Sequence, residues 1–354
     1  MIKINKKTTS MILLILCLSF LFIFQQTNYI TVKNTITIFL NSVLPSLFPF
    51  ILFTNILINS DIISQLTSIF KKFSNIISVI IIGFLCGYPM GAKVTNKYYF
   101  DGKISKKQAY FLMSFVNNCN PIFILSTIGI CIFNNIYIGL ILCISHYLSS
   151  LIIGFIYFTH NSIIHEIEEK SNIFKQNSNK KLHKSFFEIV DESIKSSFIV
   201  LGNILAFILI FNLIFAILEN ILLKLNISPN IIYTLSSMFE VTNGCRLLYL
   251  NSTLNSNLVI SIISFALGFS GFSIIFQIYS CVYKAQVKLT HIIKYKLLQG
   301  SLSFFITFIF LMLKDNTITN MTLDLLNFNA TSYFIFFSSL LFIFVYTIKK
   351  VTQK

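Results

Sequence analysis

The chain has 354 residues, of which 55% are hydrophobic and 11% charged, with 39 Phe, no Trp and a formal net charge of +15. Soluble domains carry about 25% charged residues, so a soluble fold would have nowhere to put these apolar side chains, and 12 Gly with 5 Pro exclude a fibrous or disordered chain. The basic residues are almost all Lys, with Arg246 the single arginine, and they lie between apolar runs. That spacing excludes a nucleic-acid surface and fits loops held on the cytoplasmic side of a lipid bilayer.

Lys3, Lys6 and Lys7 precede an apolar run from Met11 to Phe24 that is laid out like a secretory signal. Gln25, Gln26, Thr27 and Asn28 follow where a small-x-small cleavage site belongs, so an N-terminal unit 1–35 is read as an uncleaved transmembrane helix. Apolar runs at 36–58, 75–92, 109–133 and 136–158 make a first half, 36–158. Between the first two of these, Ile62, Ile63, Leu66, Ile69, Phe70 and Phe73 share one helical side, which predicts an interfacial helix. Segment 159–195 is polar and mixed in charge, and is read as a cytoplasmic loop in which Glu166, Glu168, Glu169, Glu188, Asp191 and Glu192 balance Lys. Runs at 196–223, 231–250, 257–283 and 297–313 make a second half, 196–313, and 331–348 is a last helix in 314–354.

Counting charges separates two topologies. If all ten runs span and the N-terminus is inside, 13 basic residues fall inside and 14 outside. If 75–92 and 231–250 instead enter and leave on one side, 23 fall inside and only Lys33, Lys224, Arg246 and Lys314 outside. The positive-inside rule selects the second arrangement. It predicts an all-α polytopic protein of eight spans and two re-entrant segments, with both termini cytoplasmic. The halves then share one order in opposite orientation, an inverted repeat of the kind that builds many secondary transporters. Gly91-Ala92-Lys93 and Gly244-Cys245-Arg246 fall at matching places in it.

Four places break the apolar pattern. Gly83 to Lys93 holds Gly83, Gly87, Pro89 and Gly91, which cannot continue a regular helix. Freed backbone at membrane depth is tolerated only beside a cavity or inside protein. Asn117-Asn118-Cys119-Asn120-Pro121 interrupts the run 109–133. Phe239-Glu240-Val241-Thr242-Asn243-Gly244-Cys245-Arg246 puts a carboxylate in an apolar stretch, which marks either a functional site or an ion pair of Glu240 with Arg246. Gly268-Phe269-Ser270-Gly271-Phe272-Ser273, with Gln277 beyond it, is the fourth; its small residues also suit close helix packing.

Other chemistries find little support. The seven Cys stand singly with no metal spacing, and His165-Glu166 has Glu169 where a zinc protease needs a second His. Gly268-Phe269-Ser270-Gly271 spells the GxSG of intramembrane serine proteases, whose serine needs a histidine in reach. The candidates are His146, expected as a packed polar residue, and His291, expected at the interface after a Lys-rich loop. No P-loop or dinucleotide motif occurs, so no cofactor, metal or catalytic residue is expected, and transport would be passive or gradient-driven.

Taken in order, Pro45-Ser46-Leu47-Phe48-Pro49-Phe50, Gly87-Tyr88-Pro89-Met90-Gly91-Ala92-Lys93, Asn117 to Pro121 with Ile122-Phe123, Phe239 to Gly244, and Ser270-Gly271-Phe272-Ser273 with Gln277 resemble the YlbJ-type sporulation integral membrane proteins of spore-forming Firmicutes. The resemblance covers roughly 36–313; Cys86 stands where a serine is expected before Gly-Tyr-Pro. It implies a role in endospore formation, in a mother-cell or outer forespore membrane, and kinship to the "nucleoside recognition" or gate domain. The expected protein is a transporter or gated pore for a small polar solute, present as a homo-oligomer or beside other sporulation membrane proteins. Asn117, Asn120, Asn243 and Ser270 would supply hydrogen bonds near the midplane, Glu240 a charge partner, and Lys93 and Arg246 attraction at opposite mouths. A membrane scaffold for sporulation machinery and an intramembrane protease are the alternatives.

Overall fold

Long runs of Ile, Leu and Phe without a backbone partner elsewhere must satisfy their peptide groups locally, and every described element is helical. The computed structural model describes residues 19, 22–60, 62–160 and 185–317, without the side chains of 71, 72, 160 and 314–317. Most of the predicted helix 11–24, positions 161–184 of the predicted loop and the predicted helix 331–348 lie outside the described residues.

In the first half, α1 (Gln25–Ile38) runs through a π-helical turn at Phe39–Val43 into α2 (Leu44–Asn59). The turn widens just ahead of Pro45, which has no N–H for the regular ladder. Next come α3 (Ile62–Thr67), a 3-10 turn at Ser68–Phe73, α4 (Ser74–Cys86) and α5 (Met90–Phe100). Then α6 (Lys106–Phe115) and the π-helical α7 (Phe123–Ile132) flank a break, and α8 (Ile136–His160) closes the half. The second half contains α9 (Phe186–Lys224), α10 (Pro229–Phe239), α11 (Val241–Asn251), α12 (Ser256–Phe269), α13 (Gly271–Val282), a 3-10 turn at Tyr283–Ala285, and α14 (Leu289–Thr317). Apart from α3 and the 3-10 turn after it, which occur in the first half alone among the described residues, each half is a long helix, two broken pairs and a long helix.

Among the described residues, five helical stretches are long and apolar enough to cross a membrane: Gln25–Asn59, Ile136–Thr159, Phe186–Lys224, Ser256–Ala285 and Leu289–Leu313. They contain the predicted runs 36–58, 136–158, 196–223, 257–283 and 297–313. The predicted span 109–133 is instead divided between α6 and α7, because Asn117 to Pro121 end one helix before Phe123 begins the next. On α9, Phe198, Ile199, Ile210 and Ile214 are exposed while Ser193, Ser197 and Asn212 are buried. Polar side chains inside and apolar ones outside is the packing expected in lipid. Ile62, Leu66 and Ile69 likewise expose one apolar face of the predicted interfacial segment.

Both first broken pairs fold back on themselves. A Cβ on Gly91 of α5 would lie 3.2 Å from the Gly83 Cα of α4, and one on Gly244 of α11 would overlap the Ser237 backbone of α10. The matching Gly-x-basic triplets of the sequence thus hold the two glycines where the second arm of each hairpin lies against the first. The long helices pair head to tail across the halves. Asn212 Nδ2 donates to Thr35 Oγ1 at 3.1 Å, Asn55 Nδ2 to Ser197 Oγ at 2.9 Å and Asn59 Nδ2 to Ser193 Oγ at 3.1 Å. Rising numbers on α1–α2 meet falling numbers on α9. The same holds for α8 and α14, where Gln299 Nε2 donates to His146 O at 3.4 Å and Tyr157 meets the rings of His291 and Tyr295 at 5.8 and 5.4 Å. Contacts between halves are reciprocal: α5 packs on α13 and α11 on α7, while α8 packs on α12 and α14 on α6.

Candidate functional site

Gly87 ends α4 at φ +78°, a conformation open to glycine, and a Cβ there would lie 2.8 Å from Asn120 N. The hairpin tip Gly87-Tyr88-Pro89 can therefore press on the segment between α6 and α7. Tyr88 N donates to Asn118 O at 2.8 Å, and Tyr88 Oη to Cys119 Sγ at 3.3 Å. That segment lacks regular helical bonds, and neighbouring side chains take over its carbonyls. Asn118 Nδ2 (2.9 Å) and Ser150 Oγ (2.7 Å) donate to Phe115 O, and Tyr147 Oη donates to Phe84 O at 3.0 Å and to Cys119 O at 2.6 Å. His146 Nε2 accepts from Cys119 N at 3.0 Å. Asn120 Oδ1 accepts from Ile122 N at 2.8 Å, which starts the next helical turn at Pro121.

The second hairpin turns at Glu240, which is 2% exposed. Its carboxylate accepts from Thr242 N at 2.9 Å and Asn243 N at 2.7 Å, so it caps the positive end of α11. Arg246 lies exposed on α11, and the ion pair with Glu240 that its sequence position allows is not what holds the carboxylate. Ser270 joins α12 to α13 in the left-handed region at φ +73°, followed by Gly271 at φ +65°. Its hydroxyl donates to Leu267 O at 3.5 Å. His146 Nε2 accepts from Cys119 N and His291 Nε2 meets Tyr110 O, and the hydroxyl of Ser270 bonds Leu267 O rather than either ring.

The two hairpin tips and the two broken helices converge. Tyr88, Cys119, Asn120, Glu240, Thr242 and Gln277 line one cavity of about 20 Å³ between α2, α7, α9 and α13, room for roughly one water. A smaller one beside it, about 10 Å³, is lined by Thr35, Asn212, Glu240, Thr242 and Asn243. Gln277 is 2% exposed and neither its Nε2 nor its Oε1 has a hydrogen-bond partner. Of the residues singled out by sequence, Asn120, Glu240, Thr242 and Gln277 therefore meet at one cavity and Asn243 at its neighbour. Gly87, Pro89, Gly91, Pro121, Gly244, Ser270 and Gly271 shape the turns around them. Ser273 is buried with its hydroxyl unpartnered, and Asn117 keeps its Oδ1 unpartnered. Lys93 stands off the cavity, half-buried, donating to Asn55 Oδ1 at 3.2 Å and Ser196 Oγ at 2.6 Å.

Two residues escaped the sequence reading. Lys296 counts there among the basic residues of a cytoplasmic loop; it is 2% exposed and donates to Asn117 O and, at 2.9 Å, to Gln299 Oε1. Gln299 Nε2 donates onward to Asn118 Oδ1 at 2.8 Å. Lys296 and Gln299 reach the first break from α14, a helix far along the chain, and only tertiary packing brings them there. Near the same helix end, His291 sits among Tyr110, Tyr157 and Tyr295 with ring centroids 4.7, 5.8 and 4.7 Å away, an aromatic cluster of interfacial type.

Aligned over 308 residues, the chain is 26% identical to the "Sporulation integral membrane protein YlbJ" of Bacillus subtilis (strain 168), covering 78% of this chain and 75% of that protein. The chain is similar to the YlbJ-type sporulation membrane proteins. With its long apolar helices and this relative, it is a membrane protein. No family model matches it, and no solved structure does.

Proposed function

We propose that the chain is an inverted-repeat transporter or gated pore for a small polar solute, working without a catalytic step in a cell membrane during endospore formation. The observation that carries this reading is Gln277: a buried carboxamide with both polar atoms unpartnered, facing a cavity where two hairpin tips and two broken helices meet. A buried amide left unpaired is costly unless something binds it. Discontinuous helices and unwound backbone at such a meeting point are how transporters hold solutes at mid-membrane. The head-to-tail pairing of α1–α2 with α9 and of α8 with α14 supports the inverted repeat, with the two hairpins re-entrant from opposite faces and the ends of the chain on the cytoplasmic side. In this mechanism Glu240, Thr242, Asn120 and Gln277 contact the solute and the glycine-hinged tips open the cavity to either side. The sporulation role is carried over from the relative's name.

The test is flux in proteoliposomes of the full-length protein, with nucleosides and spore-cortex precursors as solutes, together with rescue of a spore-former that lacks its own YlbJ-type protein. The wild type is expected to carry one of these solutes and to restore spores. Gln277→Leu and Glu240→Gln are expected to cut both by roughly tenfold or more, the effect of losing about 1.4 kcal/mol of binding. Full rescue by both variants would overturn the transport reading and favour a scaffold.

A further inference from the structure

The two breaks are closed by different chemistry. Around Glu240 the chain must satisfy N–H groups at the positive end of α11, and a carboxylate does so. Between α6 and α7 it must satisfy carbonyls at the negative end of α6, where a cation is favoured. Neutral donors cover most of them: Phe115 O takes Asn118 and Ser150, Val116 O takes Asn118 N, and Cys119 O takes Tyr147. Asn117 O is the exception. Its donor is Nζ of Lys296, whose other acceptor is the neutral Gln299 Oε1, and no carboxylate among the described residues bonds this lysine. A lysine buried here needs a reason, since desolvating its ammonium form costs more than neutral oxygens return unless the position itself favours positive charge, as the carbonyl end of a helix does. Oxygens at the unwound end of a half-helix are also what coordinate a coupling cation in ion-driven transporters.

We propose that Lys296 is a tethered cation occupying a monovalent-cation site built from the Asn117 carbonyl and the Gln299 amide oxygen at the end of α6. The lysine closes the first break without a bound sodium or potassium ion. Gln299, which also holds Asn118, positions the ammonium. Removing the amine leaves a site for a small alkylammonium or alkali cation. That this frees the transport cycle from sodium rests on the proposed function; the cation site itself does not.

The experiment is thermal unfolding of the purified full-length protein in detergent, with choline as the salt cation and then with ethylammonium or sodium at equal ionic strength. The wild type is expected to unfold at the same midpoint in all three. Lys296→Ala is expected to unfold several degrees lower in choline and to recover part of the loss in ethylammonium, which returns the charge and two of the three carbons removed. Lys296→Met fills the stem without the charge, and its midpoint is expected to stay low in every salt. A lysine kept only for packing would leave Lys296→Met at or above the wild-type midpoint, as apolar replacement of buried ions often does. That result would overturn the proposal, as would a lowered Lys296→Ala that no cation raises. Should the alanine variant not purify, Lys296→Arg near the wild-type midpoint with Lys296→Met below it supports the proposal, and the reverse order overturns it. None of these readouts uses flux, so failed transport would sink the proposed function and leave this site standing.

Discussion

Gly268 offers a sharp perturbation because its neighbours are rigid. It lies on α12 against α14, and a Cβ there would sit 2.8 Å from Gly300 Cα, 2.9 Å from Gln299 O and 3.0 Å from Gln299 C. All three are backbone atoms of one helix, so no side chain can rotate away. Ordinary contact begins at 3.4 Å, so Gly268→Ala must push α12 and α14 apart by about 0.6 Å. Overpacking of this size costs about 1–3 kcal/mol, offset by the roughly 0.5–1 kcal/mol that alanine returns within a helix. Measured against an alanine variant that keeps the same helix gain, the difference is the overpacking cost alone, roughly 2–6 °C in the midpoint of thermal unfolding in detergent. Gly202 on α9 is the matched control: its Cβ would meet nothing within 4 Å, so Gly202→Ala keeps only the helix gain and unfolds at or above the wild-type midpoint. Equal midpoints for Gly268→Ala and Gly202→Ala would refute the close approach of α12 and α14.

Gln277→Leu removes a buried amide with no partner, so it raises stability by about 1–3 kcal/mol even as it cuts solute flux; a lowered unfolding midpoint would mean that the amide is paired within the protein. Tyr147→Phe leaves Phe84 O and Cys119 O without their shared donor and costs about 1–3 kcal/mol, read by the same thermal assay; no loss would show that the break is held otherwise. In a cysteine-free background, Lys97→Cys on α5 and Asn251→Cys at the end of α11 are both exposed. Impermeant maleimide is expected to reach the first from the cytoplasm only and the second from outside only, and labelling of both from one side would defeat the inverted arrangement.

The places where the chain departs from regular helix were legible because they are local. Gly87, Pro89, Asn120 and Ser270 carry the departure in their own backbone preferences, and Gln277 stands out as an amide in an apolar run. The charge count was less well founded than it looks, since Lys93, Lys97 and Lys296, counted there as loop, lie within helices. What satisfies each break was not legible. Tyr147, Ser150 and Gln299 look like ordinary helix residues until α8 and α14 are packed, and Lys296 follows other lysines closely enough to pass for loop. The division of 109–133 into α6 and α7 was half-seen: the amides and Pro121 announced a break, while hydropathy smoothed across it.

The supply of donors to the first break from α14 has a consequence for biosynthesis. The carbonyls around Asn117 emerge from the ribosome nearly 180 residues before Lys296 and Gln299 do. During that interval the nascent first half holds a break that Tyr88, Asn118 and, from α8, Tyr147 and Ser150 close in part, with Asn117 O left without its donor. A chain truncated ahead of α14 is therefore expected to enter the membrane with a defect that quality-control proteases recognise, whereas the intact chain repairs it with the last helix of its second half.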